Sequence, residues 1–213
     1  MEVNRREIFR YLGYGTTIPD EATKQLVEEC LCDLEQHAAC KSVHRIFALT
    51  REDDTLHFGG LTVTSRNLGK NLRGCSEIVL FAATLGPAVD RLIARYSHMQ
   101  MSRAAVMQAA AAAYIEEYCD TCQREITAQA HARGLFVRPR FSPGYGDFSI
   151  EHQRVLTRVL DTPRRIGLTV TEGLALVPGK SVTAVMGLSP TDEKCHIAGC
   201  EACAKLDCAF RRS

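Results

Sequence analysis

The sequence predicts an α+β fold in which helices flank a largely antiparallel sheet. Helical and strand patterns are interleaved along the chain, but they do not alternate regularly as they do in βαβ units. The 213 residues, 46% of them apolar, are enough to bury a substantial core. Because no repeat or linker interrupts them, we expect one domain over residues 1–190 and a cysteine-rich tail over residues 191–213.

Five segments have the apolar spacing and end signals of helices. They are residues 19–38, a short stretch between Ser65 and Gly74, and residues 87–97, 102–132 and 150–161. The alanine-rich segment gives the strongest prediction, because alanine has the highest intrinsic helix propensity. We expect Ser149 or Asp147 to cap the last helix and Pro163 to end it.

Five further segments are predicted to be strands. They are residues 42–49, 55–63, 78–83, 166–172 and 181–188. The third is continuously apolar, which predicts a strand that is buried on both faces. The second contains Gly59-Gly60, which predicts a bulge or bend.

The charge balance argues against several partners. Lys and Arg number 26 and Asp and Glu 25, for a net charge of +1, whereas a nucleic-acid-binding protein has a basic surplus. No apolar run reaches the roughly 18 residues of a membrane span. The N-terminus has no apolar signal core, so we expect a cytoplasmic protein that binds neither nucleic acid nor membrane.

Four of the ten cysteines are close together at the C-terminus, where little apolar sequence surrounds them. They are Cys195, Cys200, Cys203 and Cys208, with His196 between the first two. Four thiolates at this spacing predict a zinc site or an iron–sulfur cluster, and the spacing does not decide between the two metals. Free or disulfide-linked thiols are the alternative.

Cys119 and Cys122 form a CxxC motif within the long predicted helix. A redox motif is expected near the start of a helix, where the helix dipole lowers a thiol pKa. The position therefore favours two small buried apolar residues. The same interpretation applies to the remaining cysteines, which are Cys30, Cys32, Cys40 and Cys75.

Gly179-Lys180-Ser181 does not fit a phosphate-binding loop. The motif requires four residues between its first glycine and the Gly-Lys-Ser, and Gly173 leaves five. Pro178 also lacks the N–H that such a loop donates, and a strand follows where a helix is required. We therefore exclude nucleotide hydrolysis at this sequence.

The segment from Arg140 to Gly146 has the composition of a ligand-binding loop. Proline and glycine set its backbone and allow close approach to a ligand. Arginine provides a planar fork that suits a carboxylate, which predicts a small zwitterionic or anionic ligand. The alternative is an arginine paired with a surface carboxylate. Glu172 lies between apolar strand residues, where a carboxylate needs a partner.

Motifs in this part of the chain resemble the activation domain of cobalamin-dependent methionine synthase. They are Arg140-x-x-Pro143-Gly144-Tyr145, Glu151-His152, Leu168-x-x-Thr171-Glu172-x-x-Ala175-x-x-Pro178-Gly179-x-Ser181-Val182 and Ala113-x-x-Glu116-Glu117-Tyr118. The resemblance is strong over about residues 105–190. The segment 83–90 is similar to small proteins in which this domain is a separate polypeptide.

The resemblance implies a bent sheet, bound S-adenosylmethionine and a role in reactivation. An electron donor reduces oxidised cobalamin held by a partner, which is methionine synthase or a related corrinoid protein, and S-adenosylmethionine then methylates it. Arg140 would hold the methionine carboxylate with Tyr145 beside it, and Glu116, or Glu117 in a shifted register, would face the sulfonium. The other ligand-binding residues implied are Pro143, Gly144, Gly146, Asp147 and Glu172.

Three departures accompany the resemblance. Gly146 stands where the family has proline, residues 184–187 replace an aromatic run, and cysteines occupy the C-terminal end. The chain also has no Asp-x-His-x-x-Gly cobalamin motif, so we expect a partner to hold the corrinoid. The tail suggests a metal centre that delivers the electron. The alternatives are an S-adenosylmethionine sensor without methyl transfer and a redox or scaffold protein that has lost the ligand.

Overall fold

The structure is a computed structural model and describes residues 1–192. Its helices are α1 Arg5–Tyr11, α2 Glu21–His37, α3 Arg66–Asn71, α4 Pro87–Met99, α5 Met101–His131, α6 His152–Leu160 and α7 Thr162–Ile166. Its strands are β1 Lys41–Ala48, β2 Thr50–Glu52, β3 Thr55–Phe58, β4 Leu61–Thr64, β5 Glu77–Thr84, β6 Phe136–Val137, β7 Thr169–Val170, β8 Leu176–Val177 and β9 Ser181–Ser189.

The central sheet has four strands in the order β1-β5-β9-β6. A three-stranded sheet, β2-β3-β4, and a two-stranded ribbon, β7-β8, accompany it. Neighbouring strands are antiparallel in each of the pairings found within residues 1–192. The predicted antiparallel α+β arrangement with flanking helices is therefore confirmed, and the tail lies outside the described residues.

The central sheet separates two hydrophobic cores. Side chains alternate along β5, so Val79 and Phe81 face helices α1, α2, α4 and α5. Ile78 and Leu80 face β3, β4, α3, α6 and α7 on the other side. This explains the continuous apolar run in β5, because a strand covered on both faces needs apolar side chains at every position.

Helix α5 spans 31 residues and positions the candidate site. Its buried alanines are small enough to let α2 and α4 pack closely against it; they include Ala109, Ala110, Ala111 and Ala113. Cys119 and Cys122 are also buried, as predicted. Burial raises the pKa of the Cys119 thiol, which makes it a poor nucleophile.

Residues 55–63 form a hairpin where one bent strand was predicted. Gly59 and Gly60 both have positive φ, 54° and 80°, and connect β3 to β4. Two consecutive residues with positive φ make a tight turn that joins antiparallel strands. The glycines therefore reverse the chain.

The helix predicted over 150–161 is present as α6, but Pro163 does not end it. Helix α6 ends at Leu160 because Asp161 adopts a left-handed conformation with φ 51°. Pro163 opens the next helix, α7, since proline is accommodated in a first helical turn. Helix α7 includes Ile166 and a turn follows Val170, so the strand predicted over 166–172 is shortened to β7.

Several short elements, α1, β2, β6, α7 and β8, were not predicted, and one cysteine differs from the prediction. Helix α1 was not predicted because it buries little apolar surface, and β6 has only two residues. Cys32 is exposed, contrary to the prediction, because it lies on the solvent side of α2. Cys40 and Cys75 are partly buried.

Candidate functional site

The segment that follows β6 continues along the edge of the central sheet. Phe141 and Val185 of β9 exchange two backbone hydrogen bonds of 2.9 Å, which fixes the segment beside that strand. The Phe141 side chain packs into the core on the α6 side. The adjacent residue, Arg140, extends to the opposite side, toward α5.

Three side chains of α5 accept hydrogen bonds from the Arg140 guanidinium. Nη1 donates to Oε1 of Gln123 over 2.8 Å, and Nη2 donates to Oδ1 of Asp120 over 2.7 Å and to Oε2 of Glu116 over 3.2 Å. Residues spaced by three and four lie on one face of a helix. The predicted residues Arg140 and Glu116 therefore meet, and Asp120 and Gln123 join them.

The Arg140 side chain is 16% exposed and pairs with two carboxylates. Burial opposes the charged form, but the hydrogen bond to Asp120 and the charges of neighbouring groups outweigh it, so the pKa of Arg140 is raised. The guanidinium remains a permanent cation. The contacts also match the alternative interpretation, in which the arginine pairs with surface carboxylates.

The other end of the loop is held by the N-terminus of α3. The Asp147 carboxylate accepts hydrogen bonds from the Ser65 hydroxyl and from the backbone N–H groups of Arg66 and Asn67, the latter two over 2.8 and 3.1 Å. These bonds, chiefly that from Ser65, lower the pKa of Asp147. Asp147 therefore stabilises α3, and the predicted helix cap at α6 was wrong for this residue.

The two glycines of the loop have conformations and neighbours that exclude a side chain. Gly144 has φ 94°, and its N–H donates to the Phe148 carbonyl over 2.7 Å. Gly146 has φ 54°, and a Cβ there would lie 2.2 Å from Nδ2 of Asn67. A proline, as in the resembled family, cannot adopt this φ.

Between the glycines, the loop exposes one large aromatic side chain. Tyr145 is 67% exposed, and Ile150, whose side chain lies near Gly144, is 38% exposed. Pro143, in contrast, is buried. The loop therefore exposes an aromatic ring five residues after Arg140.

Glu172 does not have the environment that the sequence predicted. Strand β7 ends at Val170, and Glu172 lies exposed in the turn before β8. Its carbonyl oxygen accepts a hydrogen bond from Arg154 of α6. Among the described contacts, none joins Glu172 to the Arg140 cluster, and its ligand-binding role stays a prediction.

The four predicted metal-binding cysteines, Cys195, Cys200, Cys203 and Cys208, lie outside the described residues. Within residues 1–192, no group of three or more His, Cys, Asp or Glu side chains is placed to hold a metal ion. The metal prediction therefore depends on the sequence of the tail.

A separate cavity of about 700 Å³ lies between the N-terminal segment and the outer face of α5. Its two arginines are already paired, Arg5 with Glu28 and Arg124 with Glu117. It is open to solvent and contains none of the predicted ligand-binding residues.

In the part of the chain that the structure describes, no helix is long and apolar enough to cross a membrane.

Sequence reasoning missed Asp120 and Gln123, although a signal was present. Both recur on the face of the long helix that carries Glu116, at i+4 and i+7. The pairing with Arg140 could not be predicted, because those residues are 17 to 24 positions apart and meet only through the sheet edge.

Comparisons with known proteins identify the fold. A solved structure with a similar fold is the MetH reactivation domain bound to AdoHcy, with a TM-score of 0.62 and 14% identity over 91% of this chain and 78% of that chain. The fold is that of the MetH reactivation domain. The scan against protein-family models and the search of curated proteins found no match. The predicted fold class is thus confirmed.

Proposed function

We propose that the chain binds S-adenosylmethionine and serves as an accessory subunit that reactivates a cobalamin-dependent methionine synthase or a related corrinoid protein. The observation that carries the proposal is the Arg140 cluster beside the Pro-Gly-Tyr loop. This cluster lies on the fold of a reactivation domain solved with AdoHcy. AdoHcy is what S-adenosylmethionine becomes when it loses its methyl group.

In this proposal, Arg140 holds the methionine carboxylate and Glu116 faces the sulfonium. A guanidinium suits a carboxylate, and an anion attracts a positive sulfur. Tyr145 packs beside the ligand with its exposed ring. The remaining proposed contacts are Pro143, Gly144, Gly146, Asp147 and Glu172, of which the loop residues act largely through their backbone.

The methyl group passes from the sulfonium to the reduced cobalamin of the partner, and AdoHcy leaves. The cobalamin is reduced beforehand by one electron from an electron donor. Asp120 and Glu116 are 53% and 40% exposed, so the site is open to an approaching partner. This chain's part is to hold and orient the methyl donor.

The loss of the family's aromatic run does not remove surface contacts here. Ala184, Val185 and Met186 are fully buried in β9, where they pack into the two cores. These three positions therefore offer the ligand no exposed side chain, and the solvent-facing part of the proposed site consists of the Arg140 cluster and Tyr145.

We further propose that the tail delivers the electron that reduces the cobalamin of the partner. We propose that Cys195, Cys200, Cys203 and Cys208 bind an iron–sulfur cluster or zinc, on the basis of their spacing. Anaerobic purification with metal analysis and an absorption spectrum tests this. Iron with a visible charge-transfer band supports electron delivery, and a colourless protein with stoichiometric zinc contradicts it.

Calorimetric titration and a methylation assay test the function itself. We expect S-adenosylmethionine to bind the full chain. We also expect a partner corrinoid protein to become methylated under reducing conditions only when both are present. Binding without methylation would favour a sensor of S-adenosylmethionine. Absence of binding would favour a redox or scaffold protein.

A further inference from the structure

We propose that Asp120 binds the α-ammonium group of the ligand, so that the site selects molecules with an α-amino acid head group. The inference rests on the proposed function and adds a residue that determines specificity. Arg140 alone would accept any small carboxylate, whereas the surrounding charges restrict this choice.

The charged side chains of the cluster differ in their exposure to solvent. Arg140 is 16% exposed, whereas Glu116 and Asp120 are 40% and 53% exposed. A ligand that approaches Arg140 from solvent therefore meets two carboxylates first. These repel a simple anion and attract a molecule that carries a positive group beside its carboxylate.

The hydrogen-bond geometry of Arg140 gives the second argument. Both hydrogens of Nη2 are engaged, one by Asp120 and one by Glu116, and Gln123 takes a hydrogen of Nη1. A bidentate carboxylate uses Nη2 together with Nη1 or Nε. Such a ligand must displace one of the acids, and the displaced carboxylate then needs another cation.

An α-ammonium group supplies that cation within the same ligand. In an α-amino acid the ammonium and carboxylate share one carbon, so the ammonium lies close to the position from which the acid is displaced. Asp120 makes the shorter contact with Arg140, 2.7 Å against 3.2 Å for Glu116, and it is the more exposed of the two. Asp120 is therefore the acid better placed to bind the ammonium once the ligand carboxylate has bound to Arg140.

The site and the ligand then have inverse charges. The cluster contains one cation, Arg140, and two anions, Glu116 and Asp120. S-adenosylmethionine contains one anion, its carboxylate, and two cations, its ammonium and sulfonium. With Asp120 on the ammonium, Glu116 remains for the sulfonium, so each charge has a partner.

Calorimetry with variants and three ligands tests the assignment. The proteins are the full chain and its D120N, E116Q and E125Q variants; Glu125 is an exposed acid on the same helix and controls for the change in net charge. The ligands are S-adenosylmethionine, AdoHcy and an AdoHcy analogue that lacks the amino group. Circular dichroism checks that each variant is folded.

We expect D120N to weaken S-adenosylmethionine and AdoHcy alike, by about tenfold, the effect of losing one charged hydrogen bond. E116Q should weaken S-adenosylmethionine more than AdoHcy, and E125Q should weaken neither. The analogue should bind the wild type weakly and D120N no more weakly.

Two results overturn the assignment while the proposed function survives. One is binding of AdoHcy by D120N with wild-type affinity. The other is an equal loss for the amine-free analogue, which would indicate a structural role for Asp120. If the wild type binds neither S-adenosylmethionine nor AdoHcy, the proposed function fails together with the inference.

Discussion

The two ends of the loop from Arg140 to Asp147 use their charges differently. At one end, Arg140 pairs with Glu116 and Asp120, whose side chains are 40% and 53% exposed. At the other end, Asp147 is bound by a hydroxyl and two backbone N–H groups of α3. In the proposed function the first charge binds the ligand, and the second holds the loop in place.

The difference shows how a short loop combines function with rigidity. Side-chain acceptors at the Arg140 end can rotate, and a ligand carboxylate can replace one of them. The N–H groups at the Asp147 end are fixed in a helix and lack intrahelical partners, so they keep their acceptor. We therefore expect substitutions at the two ends to act on different measurements.

The largest effect is expected at the binding end. Arg140→Ala should weaken S-adenosylmethionine binding by about 1.5–3 kcal/mol, the range for a hydrogen bond to a charged group. The melting temperature should change little, because the acids left behind are partly exposed. Calorimetry and thermal unfolding measure the two quantities.

A matched control is Arg124→Ala, which removes another arginine paired with an acid of α5. It should leave affinity unchanged. Equal losses in both variants, or wild-type affinity in Arg140→Ala, would contradict the role of Arg140 as the ligand's carboxylate partner.

The next largest effect is expected at Gly146, which lies beside Asp147 in the loop. Gly146→Ala should lower the free energy of unfolding by about 1–2 kcal/mol or more, since a left-handed conformation disfavours alanine. The added Cβ would also lie 2.2 Å from Nδ2 of Asn67, so the Asn67 side chain must move. Denaturant titration measures the loss.

The Gly134→Ala variant measures the cost of a left-handed backbone conformation without a steric contact of the added Cβ. Gly134 also has positive φ, 72°, but a Cβ there would have nothing within 4 Å. The loss at Gly146 should therefore be the larger. Equal losses would show that the contact with Asn67 does not constrain the loop.

Asp147→Asn should act on stability and its pH dependence. The pKa of Asp147 is lower in the folded protein than its ordinary value of 3.8. The carboxylate therefore contributes stability above that value, and this contribution is lost as pH falls through the folded pKa. Melting temperatures of wild type and variant should differ at neutral pH and converge in acid.

If the melting temperatures of wild type and variant differed by the same amount at every pH, the charge of Asp147 would not contribute to stability. Affinity for S-adenosylmethionine should fall only as far as the loop shifts. A loss as large as that of Arg140→Ala would contradict the separation of roles between the two ends.

The smallest effect is expected at Glu172. Because Glu172 lies exposed in the turn before β8, solvent screens any contact that it makes with the ligand, and Glu172→Gln should change affinity by less than about twofold. A tenfold loss in calorimetry would show that Glu172 is a main contact of the ligand.

Local patterns were enough to predict most of the fold. The long helix, the doubly covered strand β5 and the strand β9 each have a strong pattern of their own. Short elements such as α1 and β6 do not, because two to seven residues bury too little apolar surface to leave a periodicity.

The site was only partly predictable, for a physical reason. The loop composition indicated a carboxylate-binding arginine, but the partners of Asp147 are some 80 positions away in the chain. Such contacts depend on how the sheet brings the segments together. Glu172 shows the reverse case, in which local apolar neighbours suggested burial that the short strand β7 does not provide.

A crystal structure of the full chain with AdoHcy tests the central claim most directly. We predict a ligand carboxylate oxygen within about 2.9 Å of the Arg140 guanidinium, the distance of a charge-assisted hydrogen bond, with Tyr145 against the ligand. A ligand bound elsewhere, while Arg140 keeps its contacts with Glu116, Asp120 and Gln123, would contradict the account.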